Sequence, residues 1–133
     1  MSVQRTYRIL VVDDDPQVLK LYDRILTEGG YEVTATHKSS EVLQILRKKA
    51  IELLVLDLDM PEPDGFEVLK FLRADWPGLR ILVVSGYMQG ALLKASERLG
   101  ATASLNKTDA PELLLKTVDA LLRPQQGTLP PRD

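Results

Sequence analysis

Residues 53–57 read LLVLD, which is four consecutive apolar residues followed at once by an aspartate. Two other stretches have the same form, ILVVD at 9–13 and ILVVS at 81–85. Apolar runs that do not alternate with polar residues are typical of strands buried on both faces, as in a parallel sheet. Two weaker strands are predicted, an alternating edge strand at 31–36 and a short strand at 102–106.

Helical patterns fill the intervals between these strands, and the predicted helices cover residues 16–28, 40–49, 64–74, 89–99 and 109–122. Asp15 is a typical N-cap, and Gly29-Gly30 provides a stop for the first helix. Aspartate and glutamate at capping-box spacing mark the starts of the third and fifth helices, at Asp64 and Asp109. Strands that alternate with helices form parallel sheets through right-handed crossovers, which predicts an α/β fold with helices on both faces.

The composition excludes several classes of chemistry. A chain of 133 residues is long enough for one domain with a substantial core. It has no cysteine and only one histidine, His37, which leaves no disulfide, zinc-thiolate or paired-histidine site. With a net charge of −2, the chain lacks the excess of basic residues that is typical of direct nucleic-acid binding. No apolar run approaches the ~20 residues that span a bilayer, so we expect a cytoplasmic protein without membrane contact.

Polar residues follow the predicted strands where each strand ends: Asp13, Asp14 and Asp15 after the first, Asp57 and Asp59 after the third, Ser85 after the fourth and Lys107 after the fifth. Taken singly, each has an ordinary structural explanation as a helix cap, a turn former or a solvated charge. The carboxyl ends of parallel strands meet at one edge, however, where ligands of open α/β sheets bind. We therefore expect these side chains to lie together.

Such a cluster predicts phosphoryl transfer assisted by a metal. Two carboxylates about 4 Å apart repel by roughly 4 kcal/mol at an effective dielectric near 20, and a divalent cation would offset this cost. Oxygen ligands without nitrogen or sulfur suit Mg²⁺. A carboxylate can act as a nucleophile on phosphorus and form an aspartyl phosphate, while the metal, a lysine and a hydroxyl stabilise the phosphoryl oxygens.

At these residues the sequence resembles the receiver domain of bacterial two-component response regulators, which are CheY-like proteins. The matching segments are ILVVDDDP (9–16), LLVLDLDMPEPDG (53–65), ILVVSG (81–86) and SLNKTD (104–109). The resemblance covers residues 8–122. It implies a flavodoxin-like (βα)5 three-layer sandwich whose parallel five-stranded sheet has the order 2-1-3-4-5. We expect a receiver domain at 1–123 and a disordered tail or linker at 124–133.

The resemblance also implies a role for each matching residue. Asp57 corresponds to the phosphoacceptor, and Asp13 and Asp14 to the acidic pair that binds Mg²⁺ together with it. Asp59 corresponds to the position whose backbone carbonyl completes the metal coordination. Ser85 and Lys107 correspond to the hydroxyl and the lysine that contact the phosphoryl group. These roles imply a signalling protein rather than an enzyme, although one able to catalyse its own phosphorylation and dephosphorylation.

The implied partners are a sensor histidine kinase or a phosphotransfer protein, which donates the phosphoryl group from a phosphohistidine. A downstream target or an attached domain then reads the change. A monomer or a weak homodimer is expected.

Two positions depart from the family's pattern. Ser104 stands where the family usually has an aromatic residue, and Thr108 where it usually has proline. Ser104 cannot fill the pocket of an inward-rotating ring, which puts the usual link between phosphorylation and the surface of the fourth and fifth helices in doubt. Tyr87 is a candidate substitute that would shield the phosphate. These departures are the best support for the main alternative, a pseudo-receiver that acts only as a protein-interaction module. The intact residues Asp13, Asp14, Asp57, Ser85 and Lys107 argue against it.

A second alternative is a haloacid-dehalogenase-like phosphatase, because those enzymes also place two aspartates one residue apart after an apolar strand, as Asp57 and Asp59 are here. In that family the additional acids lie downstream of the pair, whereas Asp13 and Asp14 lie upstream. Turnover of a phosphate ester would favour the phosphatase, and a stable stoichiometric adduct would favour the receiver.

Overall fold

The computed structural model describes residues 5–60, 65–86 and 90–123, apart from the side chains of 90–92. Five strands alternate with five helices: β1 Arg8–Val12, α1 Pro16–Glu28, β2 Glu32–Thr36, α2 Val42–Lys48, β3 Leu53–Asp57, α3 Gly65–Asp75, β4 Arg80–Ser85, α4 Gly90–Arg98, β5 Ala103–Asn106 and α5 Ala110–Leu122. Among these described helices, none is long and apolar enough to cross a membrane.

The strands form one parallel sheet in the order β2-β1-β3-β4-β5, which confirms the predicted topology and places β2 at an edge. The register aligns the carboxyl ends of the central strands. Val12 pairs with Leu56, Asp57 with Val84, and Ser85 with Asn106. The residues that follow these strands therefore meet at one edge of the sheet.

Two apolar cores, one on each face, explain why the strand sequences do not alternate. Leu10 and Val12 pack with residues of α2, α3 and α4, whereas Ile9 and Val11 pack with residues of α1 and α5. All four of these β1 side chains are at most 1% exposed. Full burial of one such side chain stabilises the fold by about 1.5–3 kcal/mol, so both faces of the strand contribute to stability.

The helix ends agree with the predictions in part. Asp15 caps α1 as predicted, since its Oδ1 accepts the backbone N–H of Gln17 at 2.9 Å. Asp109 precedes α5 but makes no side-chain cap, which corrects the capping-box prediction. Its backbone is already helical, at φ −92° and ψ −15°, whereas a capping side chain normally belongs to an extended residue. Asp64, predicted to cap the third helix, lies outside the described residues.

The second helix begins later than the predicted residue 40. Residues Ser39–Glu41 form a 3-10 turn, and the α-helix begins at Val42. Within this segment the Thr36 hydroxyl donates to the Glu41 carboxylate at 2.5 Å. This bond links Glu41, the last residue of the short turn, to the end of β2.

Gly65 allows α3 to begin directly against the end of β3. A Cβ atom at this position would lie 2.6 Å from both the carbonyl oxygen of Asp57 and the Cα of Leu58. We expect Gly65→Ala to lower the free energy of unfolding by about 1–3 kcal/mol in urea denaturation, because the backbone must shift to relieve the overlap. Gly78→Ala is the matched control, since nothing lies within 4 Å of its added methyl group. Equal stability of the two variants would contradict this account.

Candidate functional site

The described residues predicted to carry function meet beyond the carboxyl ends of four strands. Asp13 directly follows β1, Asp57 ends β3, Ser85 ends β4, and Lys107 directly follows β5. The pairing continues past the strand ends, where the Lys107 N–H donates to the Ser85 carbonyl at 3.0 Å. The parallel topology thus brings together residues that are up to 94 positions apart, counting from 13 to 107.

Three carboxylates form an acidic cluster at this edge. Asp13, Asp14 and Asp57 each offer one oxygen, and these atoms lie within 4.8 Å of one another. Asp13 and Asp57 are each only 1% exposed, whereas Asp14 is exposed. Buried carboxylates this close repel strongly unless cations compensate their charge.

Lys107 supplies part of that compensation. Its Nζ lies 3.2 Å from Oδ2 of Asp57 and 3.4 Å from Oδ2 of Asp13, and thus bridges the two buried acids. Burial alone would lower the pKa of Lys107. The charges of Asp57 and Asp13 have a larger combined effect, so the pKa lies above its ordinary value. The side chain is therefore a permanent cation at physiological pH.

The pKa of Asp57 remains raised to about 6 despite this cation. Burial is the largest cause, and the charge of Asp13 adds to it, while the backbone N–H of Asp59 at 2.9 Å and Lys107 lower the value. Burial likewise raises the pKa of Asp13. The single positive charge of Lys107 therefore does not fully compensate the negative charges of Asp13 and Asp57.

The contacts of the Asp13 carboxylate indicate that the cluster can accept a further cation. Its Oδ1 accepts the backbone N–H of Asp15 at 2.9 Å, whereas among the described residues its buried Oδ2 is held only by the long ion pair with the shared ammonium of Lys107, at 3.4 Å. Hard cations such as Mg²⁺ take oxygen ligands of this kind, so the donor set fits that ion.

The carboxylate of Asp59 accepts two hydrogen bonds that the sequence did not predict. Its Oδ1 accepts the Ser85 hydroxyl and its Oδ2 accepts the backbone N–H of Gly86, both at 2.7 Å. The resemblance implied a role only for the backbone carbonyl of Asp59, and its side chain was expected to lie in the cluster without an assigned partner. Asp59 lies two residues beyond the end of β3 and Gly86 directly follows β4, so the predicted adjacency of these two strands could have indicated the contact.

The two residues that differ from the family's pattern, Ser104 and Thr108, both make hydrogen bonds with nearby side chains. The Ser104 hydroxyl donates to Oε2 of Glu97 in α4 at 3.0 Å, and Glu97 also pairs with Lys94 at 3.5 Å. Thr108 donates its backbone N–H to the Asn106 side chain at 2.9 Å. Tyr87, the predicted substitute for the aromatic residue, lies outside the described residues.

Comparisons with known proteins agree on one family. Residues 9–119 match the family described as "Response regulator receiver domain". The chain is 40% identical over 116 residues to "Response regulator MprA" of Mycobacterium ulcerans, covering 87% of this chain and 50% of that protein. It is 29% identical over 114 residues to "Transcriptional regulatory protein GlrR" of Escherichia coli, covering 86% of this chain and 26% of that protein. The chain thus spans half or less of the length of these relatives.

Solved structures show the same architecture. A CheY-like receiver domain protein from Methanospirillum hungatei superposes with a TM-score of 0.82 and 30% identity, covering 92% of this chain and 98% of that one. The chemotaxis protein CheY4 of Vibrio cholerae superposes with a TM-score of 0.80 and 28% identity, covering 89% and 100%. These likenesses extend over nearly the whole described chain.

Proposed function

The chain belongs to the response regulator receiver domain family, and from this membership we propose that Asp57 accepts the phosphoryl group. Receiver domains of this kind act in two-component signal transduction. The observation that carries the assignment is the position of the Asp57 carboxylate. It is buried at the end of β3, in contact with Lys107 and within the acidic cluster. Asp13 is buried beside the same lysine, and the resemblance of residues 53–65 to the family's phosphoacceptor segment distinguishes Asp57 from it.

We assign the metal site to Asp13, Asp14 and Asp57, with the backbone carbonyl of Asp59 as a further ligand. When bound, Mg²⁺ would neutralise the charge that develops on the phosphoryl oxygens. The uncompensated charge of the buried pair and the Oδ2 atom of Asp13 support this assignment. The exposed Asp14 provides a ligand on the solvent side of the same cluster.

In the proposed transfer, an oxygen of ionised Asp57 attacks the phosphorus of the donor. A new O–P bond forms, and the bond between phosphorus and the donor nitrogen or oxygen breaks, with its electron pair leaving on the donor atom. Lys107 stays protonated and provides positive charge beside the reacting oxygen, while Ser85 offers a hydroxyl donor at the end of β4. Hydrolysis of the acyl phosphate later restores Asp57.

The donor that suits this chemistry is a phosphohistidine on a sensor kinase or phosphotransfer protein in the cytoplasm. The relatives are longer than this chain and include a transcriptional regulator, which supports readout by an attached domain or by a separate partner.

Intact-mass spectrometry after incubation with acetyl phosphate and Mg²⁺ tests the proposed function. We expect one phosphoryl group per chain, and none when a chelator removes the metal. A chain that stays unmodified with the metal present would contradict the proposal, and failure to bind Mg²⁺ as well would favour the pseudo-receiver. Release of phosphate from a simple phosphate ester without a stable adduct would favour the phosphatase.

A further inference from the structure

The two hydrogen-bond donors at the end of β4 are engaged by an anion of the protein itself. The Ser85 hydroxyl and the Gly86 N–H each donate to one oxygen of the Asp59 carboxylate, and both distances are 2.7 Å. Short bonds to an ionised acceptor are among the stronger hydrogen bonds in proteins. This pair of donors is therefore a small anion-binding site, and in this structure its anion is Asp59.

A phosphoryl group on Asp57 would arrive beside this pair. Asp57 ends β3, Asp59 follows it by two residues, and the Asp59 N–H donates to Oδ1 of Asp57 at 2.9 Å. A phosphoryl group has three oxygens that need donors, and Ser85 and Gly86 provide two, at the end of the adjacent strand β4 and directly after it. The side chain of Asp59 cannot keep both bonds if the phosphoryl oxygens take them.

We propose that the Asp59 carboxylate acts as an internal competitor that holds the Ser85 hydroxyl and the Gly86 N–H until a phosphoryl group displaces it. This inference rests on the proposed function, since it concerns the same site. Asp59 is thus a positioning residue that sets how readily the site accepts and keeps a phosphoryl group. It also adds negative charge near the cluster, and this charge contributes to the raised pKa of Lys107.

The Asp59→Asn variant removes the charge and one of the two acceptors with almost no change in size. We expect it to bind beryllofluoride, a phosphoryl analogue, about tenfold more tightly at saturating Mg²⁺, which corresponds to one charge-assisted hydrogen bond no longer displaced. Isothermal titration measures this affinity, and Asp59→Ala, which removes both acceptors, is the second variant. Asp75→Asn is the control, because this exposed residue at the end of α3 changes the net charge equally.

A double-mutant cycle with Ser85→Ala separates competition for donors from simple charge repulsion. We expect the gain from Asp59→Asn to shrink in the Ser85→Ala background, where only the Gly86 N–H remains to be released. A merely structural role for Asp59 would give weaker binding rather than a gain.

An equal gain in both backgrounds, no gain, or an equal gain in Asp75→Asn would overturn the inference while leaving the proposed function intact. If the wild-type protein bound no beryllofluoride with Mg²⁺ and formed no phosphoryl adduct, the proposed function itself would fail, and this inference with it.

Discussion

Replacing Asp57 with asparagine is expected to abolish the phosphoryl adduct and, at the same time, to stabilise the metal-free protein. The adduct is lost because the amide is a poor nucleophile and no other carboxylate is proposed as a phosphoacceptor. Intact mass after incubation with acetyl phosphate and Mg²⁺ measures this effect.

The gain in stability follows from the sign of the pKa shift. Asp57 has a pKa of about 6 in the folded protein, raised from 3.8, so the folded state holds its proton more tightly than the unfolded state does. The contribution of Asp57 to stability is therefore complete below about pH 4 and is lost as the pH rises through about 6. Asparagine has no charge to bury and avoids this loss.

We expect the metal-free Asp57→Asn variant to exceed the wild type by about 1–3 kcal/mol in free energy of unfolding at pH 7.5, and by much less near pH 4. Urea denaturation at both pH values, with a chelator present, measures the difference. Excess Mg²⁺ should narrow the gap at pH 7.5, because the metal stabilises the wild-type cluster more than the variant. A difference that does not change with pH would argue against an uncompensated charge on Asp57.

Lys107→Met is expected to slow phosphorylation by acetyl phosphate about 100- to 1000-fold. The ammonium lies 3.2 Å from Oδ2 of Asp57, where it can stabilise charge on the reacting groups, and loss of one such preorganised group typically costs this much in rate. Methionine keeps the length and apolar stem of the side chain but has no charge. The rate of adduct formation at saturating Mg²⁺, followed by intact mass, provides the measurement.

The same substitution should destabilise the metal-free protein at neutral pH, because Asp13 and Asp57 lose the cation that they share. Combining it with Asp57→Asn should recover part of that stability, since only one buried acid then remains. Lys116→Met, at an exposed position of α5, is the matched control for both measurements. Phosphorylation at an unchanged rate in Lys107→Met would exclude the proposed role of the lysine.

The central strands could be predicted because burial on both faces leaves unbroken apolar runs, whereas their order followed from the resemblance to the family. Each central strand is an apolar run, and the helix α1 begins at Pro16 and ends at Glu28 as predicted, since Asp15 caps it and glycines follow it. The segment before α2 instead contains a bond between Thr36 and Glu41, which are in different elements. Local sequence patterns carry no information about such a contact.

The candidate site, like the fold, could be predicted only in part. Its acids and its lysine were predictable, because parallel strands bring their carboxyl ends together whatever the details of the loops. The side chain of Asp59 was not, because its bonds to Ser85 and Gly86 depend on how two separate turns approach each other. Ser104 is a similar case, since the sequence shows only that the ring is missing. The structure adds that the hydroxyl is bound to Glu97 of α4, which gives this position a polar link to that helix.

The most direct test of the central claim is to locate the phosphoryl group within the cluster. Borohydride reduces an aspartyl phosphate to homoserine, and peptide sequencing by mass spectrometry then identifies the residue that carried it. After treatment with acetyl phosphate and Mg²⁺, we expect homoserine at position 57 and unchanged aspartate at positions 13, 14 and 59. Homoserine at any of those three positions, with Asp57 intact, would contradict the account.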